Sequence, residues 1–321
     1  MLKAISMCTN NKPQRLLCIV SNMDTGGAET FLMKMYRKLD RNRYQMDFVV
    51  SGDGRGYYED EIEQLGGIVY RITRKTKDFV AFRRELAAAV RDDGYPCVLR
   101  IGSDALSAID LWVAKRAGAR RLALRSSNAS DGKGSLGMFL QKAFRRLLTS
   151  VADVKIAPSD LAAAYTFGPK AVSNGEVHYL HNALDLNAYT FSPEIRSATR
   201  SELGIEPDAL VVGHVGRFAP QKNHGFLIEV FAELLKARPD ARLVLVGQGE
   251  LEGEVRGKAE VFGVLDSIVF TGVCPDVPAL LSAFDALALP SLYEGMPNVV
   301  IEAQAAGLAC VVSDTVTRQA D

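Results

Sequence analysis

The chain has 321 residues, which at roughly 100 to 200 residues per domain predicts two domains. Its 38 basic and 38 acidic residues cancel, and 48% of residues are hydrophobic. This is a globular composition without the positive field that non-specific nucleic-acid binding needs, so no nucleic-acid partner is expected. Cys8, Cys18, Cys97, Cys274 and Cys310 are odd in number and hold no C-x-x-C pair, as in a reduced cytoplasmic chain. No apolar stretch approaches the roughly 18 to 20 residues of a spanning helix, and the start lacks the apolar middle of a signal peptide. A cytoplasmic location is expected, with a peripheral place at the inner face of the plasma membrane left open.

In chain order, the apolar run Arg15 to Ser21 and the helix-like stretch Glu29 to Leu39 form a first strand-turn-helix unit. The pattern repeats at Met46 to Val50 with Tyr57 to Leu65, Ile68 to Ile72 with Phe79 to Arg91, and Val98 to Ile101 with Ala105 to Lys115. Further strands are expected at Arg121 to Leu124, Val154 to Ala157 and Val177 to Leu180. Asn182 to Arg200 is polar, carries Pro193 and keeps no sustained period, so a boundary is expected there, dividing domains 1–182 and 183–321. Alternation restarts with strands at Leu210 to Val215, Leu243 to Val246, Ile268 to Thr271, Ala286 to Leu289 and Ala309 to Val312. Helical stretches lie between them at Phe226 to Leu235, Val255 to Val261, Pro278 to Ala283 and Val299 to Ala306. Strands alternating with helices predict an α/β architecture of two doubly wound parallel sheets, whose ligands bind outside the carboxyl ends of the strands.

Several chemistries are excluded by spacing. No G-x-G-x-x-G follows a strand, since Gly247, Gly249 and Gly253 are wrongly spaced, and Gly132-Lys133 is followed by Gly134 rather than the hydroxyl residue of a P-loop. There is no G-x-S-x-G and no H-E-x-x-H. His178 and His181, three apart on a strand, face opposite sides, so no metal site is expected.

Three stretches stand out. Ser291 to Glu302 follows an apolar strand and opens a helix with Pro297 near its first turn. The free N–H groups of that turn suit a diphosphate, and Glu294 and Glu302 can face one ligand. Taken alone, the same stretch also reads as a Gly-Pro loop with two solvated glutamates. Gly213 to His224 places Arg217 and Lys222 after a strand ending in Gly216, either as cations for a leaving diphosphate or as surface charges beside a turn. Gly26-Gly27, between the first strand and helix, lets backbone approach a ligand closely, although such turns use glycine in any case.

The three stretches occur together and in this order on two tandem α/β halves, and with them the chain resembles the family 4 glycosyltransferases, retaining enzymes of the GT-B fold. The likeness is greatest to the branch that builds bacterial exopolysaccharide and capsule. Its motifs run from Gly26-Gly27-Ala28-Glu29 through Gly56-Tyr57-Tyr58, Asp60-Glu61-Ile62, Leu65-Gly66-Gly67 and Leu180 to Asp185. They continue with Gly216-Arg217, Lys222-Asn223-His224, and Pro290 through Glu302 to Gly307.

The resemblance implies a hexosyltransferase that uses a nucleotide sugar, expected to be a uridine diphosphate sugar, as substrate with no separate cofactor. The acceptor would be an oligosaccharide or lipid-linked glycan. Arg217 and Lys222 would stabilise the departing diphosphate, and Glu294 would lie against the transferred sugar. The backbone of Gly295, Met296, Pro297, Asn298 and Val299 would hold sugar and phosphate, and Glu302 would accept from ribose hydroxyls. Gly216, Gly247, Thr271 and Gly272 would frame phosphate and base, and Gly26 and Gly27 would bring the first domain's backbone to the phosphate. Departure of a nucleoside diphosphate needs charge stabilisation more than a strong base.

Two departures from the family pattern are visible. Leu124-Arg125-Ser126-Ser127-Asn128 stands where many relatives carry a His after the fifth strand, so Arg125 or a serine takes that place. Relatives also continue beyond a stretch like Val311 to Asp321, so a carboxyl-terminal truncation is expected. The amphipathic segment Leu136 to Leu148, with Lys142, Arg145 and Arg146, suits contact with an anionic membrane or packing on its own domain. An inactive nucleotide-sugar-binding module and a nucleotide-sugar epimerase or hydrolase of the same fold are the competing readings.

Overall fold

The computed structural model describes residues 13–104, 106–127 and 144–316. The first sheet is built from β1 (Gln14–Ile19), β2 (Tyr44–Val50), β3 (Val69–Arg71), β4 (Cys97–Ile101), β5 (Arg121–Arg125), β6 (Val154–Ala157) and β7 (Val177–Tyr179). Between these strands run α1 (Gly27–Lys38), α2 (Glu59–Gln64), α3 (Phe79–Asp92), α4 (Ser107–Ala117), a helix α5 over 144–151, α6 (Asp160–Phe167) and α7 (Pro169–Ser173). After α8 (Pro193–Glu202), the second sheet holds β8 (Val211–Val215), β9 (Arg242–Val246), β10 (Ile268–Gly272), β11 (Ala286–Leu289) and β12 (Ala309–Val312). Its helices are α9 (His224–Ala237), α10 (Glu252–Val261), α11 (Val277–Ala283) and α12 (Asn298–Ala305).

Strand order is β3-β2-β1-β4-β5-β6-β7 in the first sheet and β10-β9-β8-β11-β12 in the second, with parallel pairing. Both orders reverse direction beside their first strand, the topological switch of a doubly wound sheet. By its internal contacts the described chain forms two compact units, 13–125 with 144–156, and 126–127 with 157–316. Residues 157–182 therefore group with the second unit, although β7 takes its place in the order of the first sheet.

The central strands of the second unit are buried on both faces. In β9, Val244 and Val246 pack in a cluster with Leu280 and Leu281 of α11 and Val299, Val300 and Ala303 of α12. Leu243 and Leu245, alternating with them, pack with Leu227, Ile228 and Phe231 of α9 and Val255 and Ala259 of α10. This period of two with both faces apolar is what a parallel sheet between helix layers requires. In the first unit, Leu32, Met33 and Tyr36 of α1 pack against Phe48 and Val50 of β2.

The boundary segment differs from its sequence reading, because Pro193–Glu202 is a helix capped by Ser192, whose side chain accepts from Ile195 N. Its anchors are cations rather than a stripe of apolar residues. Arg200, 2% exposed, donates to the carbonyls of Ala283, Pro207 and Ala209 and to Asp285 Oδ2 at 2.8 Å. Arg196 donates to Asp285 Oδ1 at 2.6 Å. Hydrophobic periodicity cannot see a helix held this way. Most of the amphipathic segment 136–148 lies outside the described residues; within α5, Phe144 and Leu147 are exposed and Leu148 is buried.

Candidate active site

Apart from Gly26 and Gly27, the predicted donor residues belong to the second unit, where they stand at the carboxyl ends of its strands or, for Asn298, Val299 and Glu302, in helix α12. β8 ends at Val215 and runs into Gly216 and Arg217. A short 3-10 turn, Pro220–Lys222, leads into α9, with Asn223 in the left-handed region at φ 54°. β11 ends at Leu289 and is followed by the loop that carries Glu294 into α12. Pro297 is the N-cap of that helix rather than a residue of its first turn, and no side chain caps it. The first N–H groups of a helix have no partner within it, and they carry its positive dipole end.

The structure joins Lys222 to Glu294. Lys222 Nζ donates to Glu294 Oε1 at 2.6 Å, with the two side chains 17% and 7% exposed. Glu302, on α12 one to two turns in, is also buried. Arg217 is placed differently: its side chain is 65% exposed and paired at 2.9 Å with Glu250, a half-exposed carboxylate whose pKa the hydrogen bond from Arg217 lowers. An exposed pair of this kind contributes little stability, so its guanidinium can be exchanged to another anion at small cost. The two predicted cations are thus one buried, paired ammonium and one exposed guanidinium.

The glycines and Thr271 are stitched across three strand ends. Gly216 N donates to Val246 O at 2.9 Å and Gly247 N to Gly272 O at 2.8 Å, while Thr271 Oγ1 donates to Gly272 O at 3.0 Å. Gly247 has φ +131°, and a Cβ there would overlap the Gly216 carbonyl. The position needs glycine for both reasons.

Other residues hold the Glu294 loop, and sequence reasoning gave them no role. Gln221 Nε2 donates to Tyr293 O at 2.8 Å, and Gln221 O accepts from Leu292 N at 2.8 Å. Ser159 Oγ donates to Gly295 O at 2.7 Å while accepting from Ala162 N as the cap of α6. Asn182 Nδ2 donates to Met296 O at 3.0 Å. The carbonyls of Gly295 and Met296 are thereby engaged, which fixes the direction of the peptide planes before α12. Ser159 and Asn182 are far from this loop in sequence, and no spacing rule links them to it.

Beneath Lys222 lie two imidazoles. His214, on β8, is fully buried and its Nδ1 is 2.8 Å from Ala288 O. A carbonyl only accepts, so Nδ1 carries the proton and Nε2 is left as an acceptor. His224, at the start of α9, stacks on Phe218 at 4.3 Å and meets His214 edge-on at 4.5 Å between ring centres. Burial, and after it the neighbouring Lys222 charge, lowers the His224 pKa to about 4; burial and the charge of His224 push His214 well below its ordinary value. Both rings are neutral near pH 7, so Lys222 is the cation of this corner.

In the first unit, Gly26 is the N-cap of α1 and Gly27 its first residue. Gly26 has ordinary extended φ, and a Cβ there would collide with the Glu29 carboxylate folded back over the helix start. The Glu29 carboxylate is the end of a flexible side chain and can swing aside, so glycine is not required at this position. Arg125, at the end of β5, is 3% exposed and lies 3.7 Å over the Phe31 ring, with burial lowering its pKa to about 10.

The family model of the group 1 glycosyl transferases matches residues 195–320, which include the whole β8 to α12 site. A protein of Bacillus subtilis (strain 168) named as the glycosyltransferase EpsF is 32% identical over 318 residues, covering 97% of this chain and 82% of its own. The chain belongs to the group 1 glycosyl transferases. It is accordingly a transferase. An Escherichia coli relative named UDP-Gal:alpha-D-GlcNAc-diphosphoundecaprenol alpha-1,3-galactosyltransferase is 33% identical over 144 residues, 43% of this chain and 37% of its own. Among solved structures, Anabaena Alr3699/HepE in complex with UDP and glucose superposes with a TM-score of 0.74 at 23% identity, covering 94% of this chain and 81% of that one. This likeness shows that the fold is GT-B.

Proposed function

We propose that the chain is a retaining hexosyltransferase that moves a sugar from a UDP-sugar to a lipid-linked saccharide acceptor at the inner face of a membrane, in the making of a surface polysaccharide. The observation that carries this reading is the Lys222–Glu294 pair at 2.6 Å, set between the ends of β8 and β11 and next to the amino end of α12. The ammonium and the dipole end of α12 would take up the charge that develops on a departing diphosphate. Arg217, once released from Glu250, would add a bidentate fork. Glu294 would orient the sugar and Glu302 the ribose. The nucleotide sugar is a substrate in this scheme, and no cofactor is called for. The UDP in the HepE complex and the UDP-Gal and diphosphoundecaprenol in the name of the Escherichia coli relative support these choices of donor and acceptor class.

Calorimetric titration of the chain with UDP, GDP and ADP, repeated on Lys222→Ala, tests the donor site. UDP binding that is lost in the variant is the expected result; equal UDP binding by both proteins would overturn the placement of the diphosphate. The anomeric configuration of a transferred sugar, read by NMR, tests retention.

A further inference from the structure

The carbonyls of the Glu294 loop are held by side chains from two separate stretches of chain. Gln221 takes Tyr293 O, whereas Ser159 takes Gly295 O and Asn182 takes Met296 O. Ser159 and Asn182 stand 136 and 114 residues away from their partners in sequence. Backbone and ring bonds set them side by side, since Leu180 N donates to Ala157 O at 3.0 Å and His181 Nδ1 to Pro158 O at 2.8 Å. The pairs Pro158-Ser159 and His181-Asn182 thus form one ledge against the loop.

The Ser159 bonds have only one possible direction. Ser159 is 0% exposed, and its Oγ is 3.3 Å from Ala162 N and 2.7 Å from Gly295 O. An amide N–H only donates and a carbonyl only accepts, so the single hydroxyl proton goes to Gly295 O. No peptide bond is cis among the described residues. In a planar trans peptide the N–H points opposite to the C=O. Pinning Gly295 O on Ser159 therefore turns the Met296 N–H to the other side of its peptide plane.

That N–H makes no hydrogen bond among the described residues, although Met296 is only 8% exposed. Buried backbone donors without a partner are rare in folded chains, which points to an acceptor from outside the chain. Met296 stands two residues before α12, whose first N–H groups have no partner within the helix. The peptide between them adds no donor, because residue 297 is proline. The Met296 N–H is thus a fixed donor next to a positive helix end, where an anionic oxygen is favoured.

We propose that Ser159 is a positioning residue for sugar transfer: by holding Gly295 O it aims the Met296 N–H at the diphosphate oxygens of the nucleotide sugar. The inference rests on the donor site proposed above and adds to it a residue that acts only through the loop. A donor oriented in advance costs no reorganisation as charge develops on the departing diphosphate, so its loss is felt in turnover more than in ground-state binding. Asn182, on the next carbonyl, braces the same turn.

The full chain, with its eight methionines labelled at nitrogen, is titrated with UDP and followed by NMR, Met296→Leu assigning the Met296 amide. Ser159→Gly and Ser159→Ala are compared with the parent. Both lose the donor to Gly295, but glycine is tolerated as a helix N-cap much better than alanine, so the two variants separate donation from capping of α6. A downfield shift of the Met296 amide proton on UDP binding to the parent, lost in both variants while the other methionine amides stay in place, is the expected result. Release of UDP from whichever of UDP-glucose and UDP-galactose the parent consumes should fall roughly tenfold or more in both variants, with KM within a fewfold of the parent. An equal Met296 shift in parent and Ser159→Gly would overturn the proposal, and loss of the shift in Ser159→Ala alone would reduce the serine to a cap of α6. UDP binding by calorimetry that leaves the parent Met296 amide unmoved would overturn it while the donor site stands. Absence of UDP binding to the parent would instead overturn the donor reading itself.

Discussion

Lys222 Nζ and Glu294 Oε1, 72 residues apart in sequence, meet at 2.6 Å in a nearly closed corner of the second unit. A pair this buried is sensitive to the loss of either partner, because the survivor keeps its desolvation cost without compensation. Lys222→Ala should lower sugar transfer about 10²- to 10³-fold, the usual effect of removing one preorganised charge-stabilising donor. Glu294→Gln, which keeps shape and hydrogen bonding, should lower transfer while leaving UDP affinity within a fewfold of the parent. Steady-state rates and calorimetry on the two variants check this, and a Glu294→Gln enzyme with unchanged turnover would remove the carboxylate from the reaction.

Gly247 closes the floor of the same corner. Ala at this position must adopt a positive φ and push against the Gly216 carbonyl, a strain of about 1 to 3 kcal/mol. Gly247→Ala should lower the melting temperature and weaken nucleotide binding together. Gly253→Ala, on α10 where a Cβ meets nothing within 4 Å, should do neither. Differential scanning calorimetry with and without UDP separates the two outcomes.

The imidazoles under Lys222 make the fold sensitive to acid. His224 has its folded pKa lowered to about 4 from the ordinary 6.5, so between those values the unfolded chain binds the proton that the folded chain refuses. Stability is therefore unaffected above pH 6.5 and falls as pH drops toward 4, by ~3 kcal/mol from this group at about 1.4 kcal/mol per unit. His214, lowered by burial and His224, acts in the same direction. His224→Phe, which preserves the stack on Phe218, should flatten the loss. Urea midpoints at pH 7 and pH 4.5 for the two proteins provide the comparison, and parallel losses would exclude His224 as the group responsible.

Arg200 is the buried anchor of α8, spending its guanidinium on three carbonyls and Asp285. Arg200→Ala takes the donor away from the carbonyls of Pro207 and Ala209 and one of three donors away from Asp285, which keeps Arg196 and Val211 N; the change is expected to cost about 1 to 3 kcal/mol. Asp285 has its pKa lowered by its hydrogen bonds from Val211 N, Arg196 and Arg200, which outweigh burial. Its share of the stability is present above the ordinary carboxylate range and lost as pH falls through the lowered value. Urea unfolding of Arg200→Ala should show the full loss at pH 7, whereas a change under 1 kcal/mol would contradict the anchoring role.

How much of this was legible in the chain depends on which force holds each element. Strands such as Arg242–Val246 and helices such as His224–Ala237 are bound to their layers by apolar side chains, and apolar side chains leave a period that can be read in one dimension. The alternation of Leu243 and Leu245 with Val244 and Val246 was visible before any coordinates, and so was the two-sheet plan that follows from it. The motif residues at the strand ends were legible as well, through their resemblance to a family. Helix α8 was not, because arginines bonded to carbonyls more than 80 residues away carry no local pattern.

The sequence by itself therefore determined the order of the strands and of the helices that carry apolar stripes, the doubly wound class, and the identities of Arg217, Lys222, Glu294 and Glu302 as candidates, while α6, α7 and α8 escaped it. The tertiary structure alone decided that Lys222 is locked on Glu294 while Arg217 is held out on Glu250. It also placed Ser159 and Asn182 on the carbonyls of Gly295 and Met296, and two neutral imidazoles beneath the lysine. These are pairings between residues distant in the chain, chosen by directional hydrogen bonds and by burial. Such terms depend on distance and dielectric in three dimensions, and they have no counterpart in the spacing of letters.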